Sequence, residues 1–291
     1  MSSFKTNAKI ASFGGRLLKL THDSTSTGTP MNLNLFLPSQ ALKSSATKVP
    51  VLIFLSGLTC TPENCTDKGF LQHAASRHGI ALVWPDTSPR GLNLPGEKDS
   101  WDFGEAASFY LDATKEPFSK GYKMETYLAK ELPATLFGDA EFGKYLDKER
   151  VSITGHSMGG HGALTLYLKY PGAYKSCSAF APISNPSQCP WGEKAFAGYL
   201  GEDREEWKKH DATELLKGLK EGEDLKVLID VGTGDNFYKQ GQLLPENLEK
   251  VVKEKGLKGC EVRYQEDYDH SYYFISSFAE DHVNHAAKYL L

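Results

Sequence analysis

The sequence has no apolar run long enough to cross a bilayer, and residues 1–10 are polar where a secretory leader needs a hydrophobic segment. The closing Lys288-Tyr289-Leu290-Leu291 matches no lipidation or peroxisomal signal. Basic runs are also missing: with a formal net charge of -4, nothing in the chain would track a phosphate backbone or anchor to anionic lipid. Neither nucleic acid nor a membrane is expected as a partner, and a cytoplasmic location is the simple expectation. The five cysteines, Cys60, Cys65, Cys177, Cys189 and Cys260, are odd in number and contain no Cys-x-x-Cys pair, which argues against a disulfide framework and a zinc site. There is no His-Glu-x-x-His and no Gly-x-x-x-x-Gly-Lys, so neither a metal nor another cofactor is expected.

What is present is the balance of a globular protein, 40% hydrophobic and 24% charged over 291 residues. No repeat or linker divides the chain, and one domain over 1–291 is expected. Residues 16–21 and 31–37 form a candidate hairpin around the Ser/Thr-rich turn 24–28; Leu33, Leu35 and Leu37 alternate with Asn32 and Asn34. Short continuous apolar runs follow at 49–55, 80–84, 151–154, 176–181, 227–231 and 262–264, as in strands buried on both faces. Helical patterns at 126–136, 160–170, 246–255 and 274–290 lie between or after them. Alternating strands and helices predict an α/β fold, a mostly parallel sheet covered by helices on both faces, with ligands bound at the carboxyl ends of its strands.

Gly155-His156-Ser157-Met158-Gly159 follows one of these strands and opens a helix. A bare Gly-x-Ser-x-Gly is compatible with an ordinary turn, but strand before and helix after give it the context of a nucleophile elbow. Such a turn lifts the Ser157 hydroxyl above the sheet, and the flanking glycines avoid collisions. This is the α/β-hydrolase arrangement, in which the chain order is serine, acid, histidine.

A serine hydroxyl is a weak nucleophile at neutral pH, so it needs a base, and the base needs a carboxylate to orient it. Asp235 lies in a Gly-rich loop directly after the strand 227–231, whereas Asp230 lies inside the strand and is expected to bond locally. Of nine histidines, only His270 falls between the last apolar strand and the last helix. His156 and His161 are read as supporting groups whose ring nitrogens bond buried neighbours. His282 and His285 are expected at the surface or partly buried on the last helix; His22, His73, His78 and His210 have no motif around them. Glu105, Asp139 and Glu141 show no spacing that favours a catalytic carboxylate pair.

The turn after the strand 49–55 carries Ser56-Gly57-Leu58, which places the backbone N–H of Leu58, with that of Met158, as the expected oxyanion hole. Cys60 lies two residues further and is a competing nucleophile without a base of its own. Trp101 and Trp191, on loops, are candidates to crowd the acyl pocket beside Cys60 and His156, although a loop tryptophan commonly just packs against the body.

Beyond the elbow, the chain resembles the S-formylglutathione hydrolase (esterase D) family. The resemblance runs through Leu55-Ser56-Gly57-Leu58-Thr59-Cys60-Thr61, Pro85-Asp86-Thr87-Ser88-Pro89-Arg90-Gly91, Ser100-Trp101-Asp102-Phe103-Gly104, the elbow, Cys189-Pro190-Trp191-Gly192 and Tyr268-Asp269-His270-Ser271-Tyr272-Tyr273. It implies hydrolysis of the thioester S-formylglutathione to glutathione and formate, side activity on short oxyesters, and a cytoplasmic homodimer. It also implies that the triad falls on Ser157, Asp235 and His270. A general short-chain carboxylesterase or acyltransferase of the same fold, and a catalytically dead binding protein, are the alternatives.

Overall fold

The structure, a computed structural model, describes residues 3–43 and 47–291; Met1 and Ser2, the start of the polar opening segment, lie outside it. Among the described residues, nine strands form one sheet: β1 Lys5–Ser12, β2 Gly15–Asp23, β3 Pro30–Leu37, β4 Val49–Leu55, β5 Ala81–Pro85, β6 Leu146–His156, β7 Cys177–Phe180, β8 Asp224–Gly232 and β9 Lys258–Gln265. Their spatial order is β1-β2-β3-β5-β4-β6-β7-β8-β9. The first three strands and the β3–β5 pair are antiparallel, and every later pair is parallel. The mostly parallel α/β sheet expected from the apolar runs is therefore observed, with the hairpin at its antiparallel end.

Every residue of β4 and β5 is buried, as required of central strands covered on both faces. Burying each Leu, Ile or Val side chain there contributes about 1.5–3 kcal/mol relative to exposure. Pro50 has no N–H for the ladder, and the pairing of β4 with β6 is irregular between Val49 and Val51, where the proline is accommodated. The helix Met158–Lys169 packs on β6 and β7, and the closing helix Tyr272–Leu290 packs on β6, β7 and the helix Leu71–His78. The helical pattern at 126–136 lies in a continuous helical stretch whose middle, Tyr127–Glu131, widens into a π-turn. Strand β1 escaped the sequence reading because it is an edge strand without a buried face.

Strand β4 pairs with β5 on one side and β6 on the other, so successive crossovers diverge from it. That divergence opens a crevice at the carboxyl ends of the parallel strands. The turn after β4 carries Gly57 and Leu58, the turn after β6 carries Ser157, the loop after β8 carries Asp235 and the loop after β9 carries His270. Residues far apart in sequence thus gather on one side of the sheet.

Asp230, inside β8, is fully buried and bonded locally, as expected. Its carboxylate accepts hydrogen bonds from Arg263 Nε at 2.8 Å and Nη2 at 2.6 Å, from Gln265 Nε2 at 2.8 Å, and lies 2.9 Å from His282 Nε2. Burial opposes its ionisation, but the bonds from His282, Arg263 and Gln265 outweigh that and hold the carboxyl well below the usual range. His282 is a correction to the sequence reading: it is wholly buried, stacked on Phe180 at 3.5 Å, rather than at the surface. Burial lowers its pKa, with Asp230 only partly offsetting the effect, so the ring is neutral and Arg263 supplies the positive charge. A depressed histidine pKa penalises the fold below the unfolded value of about 6.5, where the unfolded chain takes up a proton that the native ring refuses. The stability advantage of the wild type over His282→Gln is therefore expected to shrink from pH 7 to pH 5, by at most about 1.4 kcal/mol per pH unit. Urea denaturation across that range checks this, and parallel pH curves would contradict a neutral buried His282.

Candidate active site

The turn between β6 and the helix Met158–Lys169 holds Ser157 at φ 57 and ψ -118, a conformation that costs about 1–3 kcal/mol for a residue with a side chain. Three backbone bonds maintain it: Ser157 N–H donates to Phe180 O at 2.9 Å, and Ser157 O accepts from His161 N at 3.0 Å and Ile183 N at 3.3 Å. A Cβ at Gly159 would lie 2.0 Å from Leu55 O, so the helix can begin this close to β4 only with glycine there.

Asp235 follows β8 as the cap of a short helical turn, Asn236–Lys239. Its Oδ1 accepts from the N–H groups of Phe237 at 2.7 Å and Tyr238 at 3.3 Å, and its Oδ2 lies 2.5 Å from His270 Nδ1. Both carboxylate oxygens are therefore fixed, and Asp235 is fully buried. With Nδ1 donating to the carboxylate, His270 keeps its Nε2 lone pair for another partner. The loops bearing acid and base touch: a Cβ at Gly234 would lie 2.4 Å from Asp267 O.

Ser157 and His270 line one cavity of about 260 Å³ together with Gly57, Leu58, Thr59, Cys60, Trp101, His156, Trp191, Phe237 and Tyr272. No hydrogen bond joins Ser157 Oγ to His270 in this conformation, a looseness common in sites without substrate. Larger grooves of about 680 and 480 Å³ lie elsewhere, but neither brings a serine or cysteine together with a histidine. Among the hydrogen bonds of the described residues, neither Leu58 N–H nor Met158 N–H donates to another protein group, so both donors are available. The turn bearing Leu58 is pinned by Tyr110 Oη donating to Ser56 O at 2.8 Å and by Thr59 N–H donating to Ala106 O at 3.0 Å.

The pocket candidates Trp101, Trp191, Cys60 and His156 all reach this cavity. Trp101 meets Trp191 edge-on at 5.6 Å, Trp191 meets Phe237 at 4.6 Å, and Phe237 meets His270 at 4.8 Å. Phe237 and Tyr272 were missed in the sequence, although each lies two residues after a predicted triad member. His161 bonds a buried neighbour as expected, its Nε2 lying 3.1 Å from Phe109 O. His156 does not: both of its ring nitrogens are buried without a hydrogen-bond partner, and the ring packs on His270 at 4.4 Å. Burial, reinforced by His270, pushes the His156 pKa well down and keeps it neutral.

Cys60 is buried, with Sγ 3.7 Å from Tyr272 Oη. Burial raises its pKa despite the neighbouring Tyr272 and Gly57 bonds, so the thiol form dominates at neutral pH and is a poor nucleophile.

Residues 24–285 match the family described as putative esterase. The chain is 50% identical over 278 residues to S-formylglutathione hydrolase of Rattus norvegicus, covering 96% of this chain and 95% of the relative. To the Saccharomyces cerevisiae S-formylglutathione hydrolase it is 47% identical over 289 residues, covering 95% and 96%. A solved S-formylglutathione hydrolase from Agrobacterium tumefaciens superposes with a TM-score of 0.92 at 41% identity, over 100% of both chains. With a nucleophile elbow, a buried aspartate–histidine pair and relatives this similar over their whole length, the chain belongs to the S-formylglutathione hydrolase family of esterases.

Proposed function

We propose that this protein hydrolyses S-formylglutathione to glutathione and formate, with Ser157 as nucleophile, His270 as general base and acid, and Asp235 as the orienting carboxylate. The observation that carries the reading is the convergence of the Ser157 elbow and the Asp235–His270 pair on one small cavity walled by Trp101, Trp191 and Phe237. Ser157 Oγ attacks the thioester carbonyl while its proton passes to His270 Nε2. The oxyanion is met by the N–H groups of Leu58 and Met158, where one such donor is typically worth about 10²–10³ in rate. Collapse expels the glutathione sulfur, which takes the proton from His270. Water then attacks the formyl-enzyme with His270 again as base, and formate leaves.

Cavity size is compatible with the substrate class. A space of about 260 Å³ admits a formyl group and part of the thiol arm, leaving the charged peptide to the open rim. We further read the whole chain as one catalytic domain, supported by the single sheet that carries all four site loops. A cytoplasmic homodimer is the family expectation for it; no helix among the described residues is long and apolar enough to cross a membrane.

Ser157→Ala is expected to keep its fold and lose turnover, leaving only about 10³–10⁴ over the uncatalysed rate. Asp235→Asn should cost about 10⁴ in kcat, far more than Asp267→Asn or Asp269→Asn. Steady-state assays on S-formylglutathione check both, and a larger loss at Asp267 or Asp269 in a folded variant would reassign the acid.

Cys60→Ser should remain active and lose most of any inhibition by thiol reagents, since the thiol lines the cavity without a base. An inactive but folded Cys60→Ser would make the thiol part of the mechanism.

Activity is expected to fall from formyl to acetyl to butyryl esters on a common leaving group more steeply than their uncatalysed hydrolysis does, because each methylene added against the aromatic wall is worth about 1–3 kcal/mol. Trp101→Ala or Trp191→Ala should flatten that slope. A wild type that hydrolyses butyryl esters fastest would favour a general carboxylesterase.

A further inference from the structure

Trp101 is 54% exposed and sits on a segment without regular secondary structure, yet it forms part of the cavity wall. A half-exposed indole on such a loop has little packing to fix its orientation. The two residues that flank it supply the hold. Lys194 Nζ donates to Ser100 Oγ at 2.7 Å and pairs with the Asp102 carboxylate, and Ser100 Oγ also donates to Asp102. Lys194 lies three residues beyond Trp191 in the helix Pro190–Tyr199, so ammonium and indole leave the same helical face. One helical turn thus presents both the ring that Trp101 meets edge-on, at 5.6 Å and 89°, and the cation that grips the residues on either side of Trp101. On the far side, Phe103 stacks on Tyr199 at 4.5 Å and keeps the loop seated on the same helix.

We propose that Lys194 is a positioning residue for acyl-group selectivity: by clasping Ser100 and Asp102 it holds Trp101 against Trp191, as the wall that excludes acyl groups larger than formyl. The proposal rests on the thioesterase reading above. Lys194 touches neither Ser157 nor His270 and is itself 45% exposed, so the ion pair contributes little to global stability and its loss is local. Phe103 still anchors the loop when the clasp is gone. The effect is therefore a loosened wall, smaller than removal of the indole.

The test uses Lys194→Met, Lys194→Arg, Trp101→Ala and the double variant Lys194→Met/Trp101→Ala, each checked for unchanged thermal unfolding. The readout is the ratio of kcat/KM for formyl over butyryl esters. Lys194→Met should lower this ratio about three- to tenfold, and Lys194→Arg should restore most of it. In the double variant, Lys194→Met should add nothing to the effect of Trp101→Ala, because it acts through that ring. A second readout needs no substrate. Of the four tryptophans, Trp84, Trp191 and Trp207 are at most 7% exposed, so acrylamide quenching of fluorescence reports mainly on Trp101. Quenching should change in Lys194→Met and return in Lys194→Arg. Unchanged quenching in folded Lys194→Met overturns the clasp whatever the kinetics show, and additive effects on the ratio overturn its action through Trp101. A wild type without preference for formyl, combined with altered quenching in Lys194→Met, would instead sink the formyl-selective reading of the site, and with it the wall's role in selectivity, while leaving only the clasp on Trp101 in place.

Discussion

The backbone of Ser157 is the constraint on which the rest of the site depends. A serine at φ 57 and ψ -118 is held against its own preference, and it stays there because the strand before it and the helix after it are fixed by separate sets of contacts. Strand β6 is locked between β4 and β7, and the helix is buried along most of its length. Gly159 lets the two approach to a distance that any side chain would forbid. The sheet is thus more than a scaffold: its central strands store the strain that presents the hydroxyl to the cavity.

Two aspartates near the end of β8 show how burial alone does not decide chemistry. Asp230 and Asp235 are both fully buried. Asp230 faces a guanidinium, an amide and an imidazole, and its charge is neutralised in place. Asp235 has only backbone N–H groups and His270 around it, and among the described residues no Lys or Arg lies within ion-pair distance. In the mechanism we propose, its charge stabilises the imidazolium that forms when His270 takes a proton. The same carboxylate chemistry gives a structural lock in one case and, in the proposed mechanism, an orienting group in the other.

Much of this was legible in the sequence because the α/β-hydrolase chain order constrains which residues can meet. The elbow pointed to Ser157, the Gly-rich loop after a strand to Asp235, and the position between last strand and last helix to His270, three residues that the fold brings together. The rest depended on tertiary proximity. Phe237 enters the cavity because Asp235 caps its backbone, and Tyr272 because the last helix starts beside Cys60; neither follows from local pattern. His282 was misread although Ile275, Ala279, His282 and Ala286 share one buried stripe of the helix, because a polar residue type outweighed its helical spacing. The Lys194 clasp joins segments more than ninety residues apart and had no signal in either of them.

The central claim is that Ser157 is the nucleophile of a site shaped for S-formylglutathione. A fluorophosphonate reacts by far fastest with a serine activated by a neighbouring base. Its reaction with the whole protein, followed by intact mass and peptide mapping, should give one adduct on Ser157, formed more slowly as S-formylglutathione is added. An adduct at any other residue, or a labelling rate indifferent to S-formylglutathione, would contradict the account.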